Sequence, residues 1–523
     1  MSFIIVHCQL SIKLMMSKIE EFKSKITEGY QFQGESIELG GAMLDDVVVP
    51  NSKVSIPLKT MNRHGLIAGA TGSGKTKTLQ VLAEQLASKG TPVLLMDIKG
   101  DLSGIAVASS SNPKIAERHQ KIGISHTPSG NTVEFLTLSA EKGARLRATV
   151  TEFGPVLFSK ILSLNDTQSS VVSVVYKYCD DNGLLLLDLD DFKKVLNYFV
   201  NEGKDELKSE YGNISPMTIG TILRRVIELE QQGAAEFFGE RSFDVADLLR
   251  FDDQGRGIIS IIRLTDIQDR PKLFSTFMLQ LLAEIYATFP EEGDIDQPKL
   301  CVFIDEAHLV FNEASKALLS QIETIIKLIR SKGVGVYFCT QNPQDIPDAV
   351  LGQLGMKMQH ALRAFTAKDR QNIRLVAQNY PLTDYYDVEN IITQLGIGEA
   401  FITVLNEKGI PSPLVQTMLR APQSRMDVLT PSEIDQILRG SVIMDKYNEV
   451  INRESAYEVL VQRIERGAPI SPAAAERQEK EEPGMFEKAL KSPVAKQVFN
   501  TVIREGMRGL LGAFGIGGRK KIW

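Results

Sequence analysis

Eight residues constrain this chain more than any others. Gly69-Ala70-Thr71-Gly72-Ser73-Gly74-Lys75-Thr76 fits the pattern G-x-x-x-x-G-K-[ST], and it lies between a short buried strand, Gly65 to Ala70, and an amphipathic helix, Lys75 to Lys89. Pro92 to Asp97 (PVLLMD) reads as a second buried strand, and strand, helix, strand in sequence predicts a parallel βαβ unit with a right-handed crossover. The glycines let backbone N–H groups turn inward, the helix amino terminus adds positive potential, and Lys75 adds a full charge. Such a loop suits the phosphates of ATP. Thr76 offers its hydroxyl to Mg²⁺, and Thr78, in the same helical turn, is counted with the nucleotide-binding set.

The alternation continues with strands at Thr132 to Leu138, Gly257 to Leu264, Leu300 to Ile304 and Val334 to Thr340, and with helices at Phe274 to Tyr286 and Ser315 to Ile329. This is an α/β pattern with a mainly parallel sheet. Between Phe158 and Glu240 the apolar residues recur at three- and four-residue steps, which predicts an all-helical insertion. At 523 residues the chain exceeds the ~250–300 at which one hydrophobic core stops growing, so several packed units are expected. The expected division is an amino-terminal helix over 1–35, a short β lead-in over 36–60, an α/β core over 61–157 and 241–425, the helical insertion over 158–240, and a helical extension over 426–523. That extension opens on the capping box Thr430-Pro431-Ser432-Glu433, has a polar linker near 467–484, and carries an apolar-faced helix from Phe486 to Phe514 before a basic end.

Composition narrows the class. With 43% hydrophobic and 24% charged residues the chain is too apolar for disorder, and a net charge of -6 excludes a polycation that coats nucleic acid without selectivity. Cys8, Cys179, Cys301 and Cys339 have no close C-x-x-C spacing, which speaks against a tight zinc site or a disulfide framework and for a reducing cytoplasm. The apolar start, MSFIIVHCQLSIKLMM, lacks a signal-peptide core, no stretch approaches a membrane span, and Met16 ahead of an exposed helix is an expected alternative start.

A phosphate-binding loop that serves hydrolysis needs acids at the end of a neighbouring buried strand, and Leu300 to Glu306 (LCVFIDE) supplies them. Asp305 is expected to hold Mg²⁺, partly through water, and Glu306 to activate the attacking water. Two acids after a strand are also an ordinary helix-start signal. Gln341, closing the strand Val334 to Thr340, would place its amide near the γ-phosphate, the alternative being a polar cap of a turn. Arg330 is either a solvated surface arginine or a finger reaching a neighbour's nucleotide.

Together with the loop, Asp305-Glu306-Ala307-His308 and Arg330 to Pro343 (RSKGVGVYFCTQNP) resemble the HerA/FtsK superfamily of P-loop motors. The bacterial YjgR-like, HerA-like helicase subfamily is similar through Asn62 to Gly72, Asp97 to Gly104 (DIKGDLSG) and Ala361 to Thr366 (ALRAFT). The resemblance implies a RecA-like core, a homo-hexameric ring, Arg330 as a finger acting in trans, Gln341 as a sensor and Arg363 as a second phosphate-facing or intersubunit arginine. The Asp97 to Asp101 segment would border the nucleotide. DNA would pass through a central pore, with the loop after Asp101 and the Arg224-Arg225 pair as candidate lining. A nuclease partner is in question, because only about thirty residues of β character precede the loop where archaeal members carry a sizeable β-barrel. The competing reading is a motor or switch acting on protein partners.

Overall fold

Short, fully apolar strands separated by amphipathic helices can satisfy their backbone only by pairing side by side beneath helical layers. The computed structural model describes residues 2–466 except 140, 267–269, 294, 312–315 and 452, and there twelve strands pair into one sheet. In chain order they are β1 (Ser36–Leu44), β2 (Val47–Pro57), β3 (Gly65–Ala68), β4 (Val93–Asp97), β5 (Val133–Thr137) and β6 (Ala144–Arg145), then β7 (Ile259–Arg263), β8 (Leu300–Ile304), β9 (Val334–Thr340), β10 (Met356–Gln359), β11 (Glu399–Thr403) and β12 (Val415–Leu419). The spatial order is β2-β1-β12-β11-β10-β3-β9-β8-β4-β7-β5-β6.

The sheet has two characters. From β10 through β3, β9, β8, β4, β7 and β5 to β6 every pairing is parallel. From β10 outward through β11, β12, β1 and β2 every pairing is antiparallel. The region read as a β lead-in therefore forms the far edge of the same sheet, reached through β12. Gly40 makes this pairing possible: a Cβ there would stand 2.0 Å from the Met418 carbonyl oxygen.

In the parallel half, β3, β4, β8 and β9 are buried along their whole length, and Phe303 stacks on Tyr337 with ring centroids 4.7 Å apart. Each such fully buried large side chain contributes about 1.5–3 kcal/mol. Register aligns the carboxyl ends: Ala68 faces Thr340, Phe338 faces Ile304, and Ile304 faces Met96. Loops leaving these four strands meet at one edge, where α/β sheets hold their ligands.

The helical stretch lies between β6 and β7. It opens at Val150, where Thr149 and Glu152 form a capping box, and runs through Asp166–Asn182, Leu189–Val200 and Lys204–Glu210 to Pro216–Gln231. Phe153, Phe158, Phe192, Phe237 and Phe238 give it an aromatic core of its own. The unit Met1–Gln462 contains all of these elements. The second unit, Arg463–Trp523, falls almost wholly outside the described residues, as do the predicted linker near 467–484 and the helix from Phe486 to Phe514.

Candidate active site

Gly74 caps the helix Lys75–Ser88 at φ 112°, a conformation open to glycine and strained for other residues. The loop is fastened at its entry: Gly69 N–H donates to Thr340 O (3.2 Å) and Ala70 N–H to Ala361 O (2.7 Å). Ser73 donates its hydroxyl to Ala70 O (2.7 Å) and accepts Gly398 N–H on its carbonyl (3.0 Å), while Thr71 and Gly72 are exposed. Lys75 is buried and its Nζ donates to the carbonyls of Gly69 (2.6 Å) and Ala70 (3.1 Å). Burial, aided by nearby Lys99, lowers its pKa from the usual lysine value. Thr76 is half-buried at the head of the helix.

Thr78 stands elsewhere. Its hydroxyl is 2.9 Å from His360 Nε2 and donates to Gly74 O (3.2 Å), so in this structure it braces the loop against His360. His360 is fully buried against Gly69, whose Cβ would come within 2.5 Å of the histidine Cβ. Burial drives the imidazole down to about 4, which keeps it neutral.

The acids come from β8, and β8 is not the immediate neighbour of β3; β9 lies between them. The intervening strand delivers Gln341 between loop and acids. Asp305 is 3% exposed, and its Oδ2 has no hydrogen-bond partner among the described residues. Burial raises its pKa to about 6, against the pull of Lys99. A buried carboxylate oxygen without a partner fits a group that brings its own positive charge or water, so the residues present suit Mg²⁺.

Glu306 adopts φ 45°, a left-handed backbone conformation that costs a non-glycine residue about 1–3 kcal/mol. Ala307 N–H bonds Cys339 O (2.9 Å) and holds the turn. The Glu306 carboxylate is ion-paired to Lys99 Nζ, lies 3.2 Å from His308 Nδ1, and has Gln341 Nε2 3.5 Å from each oxygen. Burial alone would raise this group, but the bonds from His308 and Lys99 outweigh it and hold it at about 2. It is a permanently charged acceptor. Asp97 at the end of β4 accepts the N–H groups of Gly100 (2.8 Å), Asp101 (3.1 Å) and Leu102 (3.2 Å), and burial, with Asp101, raises it to about 7.

Arg330 is exposed at the opposite end of β9 from Gln341. Seven residues at about 3.3 Å each put roughly 20 Å between it and its own loop. Arg363 follows the segment that bonds the loop and donates to Thr393 O (2.7 Å). Arg224 donates to Thr221 Oγ1 (3.0 Å) and Arg225 to Glu228 (2.9 Å), the pattern of a solvated helix face. The sequence left Lys99 without a role, although it sits in the Asp97 to Asp101 segment. His308 is legible only as part of Asp305 to His308, and His360 carries no local signal because the four-residue strand β10 before it has no sequence period of its own.

Residues 45–489 match the family described as helicase HerA-like C-terminal. The chain is 22% identical over 386 residues to a DNA double-strand break repair helicase HerA of Sulfolobus acidocaldarius, covering 69% of this chain and 66% of that one. For the HerA of Sulfurisphaera tokodaii the figures are 24% over 396 residues, 73% and 68%. The chain thus spans about two thirds of the length of these relatives. Among solved structures, the bacterial conjugative coupling protein TrwB superposes with a TM-score of 0.49 at 13% identity, covering 78% of this chain and 95% of that one. VirB4 of Thermoanaerobacter pseudethanolicus gives 0.48 at 15%, with 77% and 99% covered.

Proposed function

This chain belongs to the HerA-like helicase C-terminal family, and from that premise we propose that it is an ATP-hydrolysing, ring-forming motor, most simply a homo-hexamer, that translocates on DNA. The observation that carries the reading is the convergence of Gly69 to Thr76, the partnerless Asp305 oxygen, Glu306 and Gln341 at the carboxyl ends of β3, β8 and β9.

The loop N–H groups and the helix start cradle the phosphates, and Lys75 exchanges its carbonyl partners for phosphate oxygens. Thr76 and Asp305 are the groups that would hold Mg²⁺, whose charge would neutralise that of the phosphates. Phosphoryl transfer asks a protein mainly for positioning. A carboxylate held at about 2 is a weak base, so Glu306 acts chiefly by accepting a hydrogen bond from the attacking water and aligning it. Lys99 and His308 fix its orientation, and Gln341 stands between it and the loop. Arg330 lies too far to serve its own site and is assigned to a neighbour's. Arg363 is assigned to the subunit boundary beside the loop, and the activity is placed in the cytoplasm.

The test is ATP turnover with and without single- or double-stranded DNA, in a preparation shown by mass measurement to be an intact ring. We expect DNA to stimulate turnover and Lys75→Ala to abolish it. An intact ring indifferent to both forms of DNA would remove DNA as the substrate and favour a protein partner.

A further inference from the structure

The phosphate end of the proposed site is marked by Glu306 and Gln341, which follow β8 and β9 on one side of β3. A nucleotide bound by its phosphates must therefore direct its nucleoside away from that side, towards β10 and β11 and past Ser73 and Gly74, where the helix begins. The wall met there is the turn Gly396-Ile397-Gly398-Glu399, closed by Glu399 N–H donating to Gly396 O (3.1 Å). The turn sits directly on the loop: Gly398 N–H donates to Ser73 O (3.0 Å), and a Cβ on Gly74 would come within 3.1 Å of Gly398 N.

Arg118 clamps the turn from the other side. Its guanidinium donates to the carbonyls of Ile397 (2.9 Å), Gly398 (3.1 Å) and Leu419 (3.0 Å). Gly398 has φ +73°, and a Cβ there would stand 3.0 Å from Arg118 Nη1, so both the conformation and the close approach require glycine. Despite this anchoring, Ile397 is 73% exposed at the tip. A branched apolar side chain held out to water by a turn fastened on two sides, next to the loop that would hold the phosphates, is a preorganised apolar surface.

We propose that Ile397 is the platform on which the nucleobase of the bound nucleotide rests, and that Arg118 is the residue that positions it. The proposal rests on the nucleotide reading above. Its test separates nucleoside from phosphate: calorimetric binding of ATP and of inorganic tripolyphosphate, each with Mg²⁺, to the full chain and its variants. Ile397→Ser should weaken ATP about tenfold while leaving tripolyphosphate within about twofold. Turnover at saturating ATP is retained, so the change appears in KM. Arg118→Ala should show the same selective loss, and adding Ile397→Ser to it should change little. Arg118→Lys should fail to restore ATP binding, because one ammonium cannot span the carbonyls that the planar fork reaches. Equal weakening of both ligands, or ATP affinity unchanged in Ile397→Ser, overturns the platform and leaves the nucleotide reading standing. Wild-type protein that binds neither ATP nor tripolyphosphate overturns the nucleotide reading itself.

Discussion

Asp305 and Glu306 are chemically alike, adjacent in sequence and both buried, yet their surroundings drive them apart. Burial leaves Asp305 at about 6 with an oxygen unpartnered, whereas the bonds from His308 and Lys99 overcome burial and hold Glu306 at about 2. Two neighbouring acids thus acquire two roles. Asp97 shows the cost of burial beside a like charge: burial and Asp101 raise its carboxyl from 3.8 to about 7 even though three backbone N–H groups face it. Between those values the folded state retains a proton that the unfolded chain releases. The stabilisation from this group is complete below 3.8 and is lost as pH rises through 7. Asp97→Asn removes that dependence. In thermal melts of both proteins across this window, the midpoint of the variant relative to wild type should climb with pH, and a constant difference would show that Asp97 does not titrate as its burial implies.

At the level of elements, the loop is supported by strands that carry no nucleotide chemistry. The segment directly after β10 presents Ala361 to Ala70 and His360 to Thr78, and the turn before β11 presents Gly398 to Ser73. The loop's foundation is therefore the junction at β10 and β11, from which the antiparallel half of the sheet extends. The weakest tolerance of that half is at β1, where a Cβ on Gly40 would meet backbone atoms of Met418 and Leu419 that cannot swing aside. Gly40→Ala should cost about 1–3 kcal/mol of unfolding free energy by forcing β1 from β12. Chemical denaturation would measure it, and an unchanged midpoint would mean that the β1–β12 ladder can shift at no cost. Thr149 and Thr430 mark helix starts as capping boxes: each hydroxyl oxygen accepts the N–H of the glutamate three residues on, whose carboxylate accepts the threonine N–H in return.

For the whole molecule, the 20 Å or so between Arg330 and its own loop divides the proposed machinery between subunits. Arg330→Ala is expected to bind ATP normally and to lose turnover. Mixing it with Glu306→Gln subunits should restore activity, since each variant then supplies what the other lacks. Unchanged turnover in Arg330→Ala alone would exclude the finger. A ring also reconciles the net charge of -6 with DNA, because a local basic lining can coexist with an acidic exterior.

The local features were legible because they depend on neighbours in sequence. The loop between strand and helix, the run of buried strands β3, β4, β8 and β9, and the acids after Ile304 all follow from glycine placement, apolar periodicity and strand ends. What sequence could not reveal depends on partners far along the chain. β10, β11 and β12 are only four or five residues long, too short for a clear period in sequence, and they are completed by pairing with β3, with one another and with β1. The strand order that inserts β9 between loop and acids, the turning of Thr78 towards His360, and the capture of Glu306 by Lys99 are likewise tertiary outcomes. The sequence alone determined which groups were available for phosphate, metal and water. Only the tertiary structure decided which of them face one another, because burial and pairing across distant segments set both their geometry and their charge.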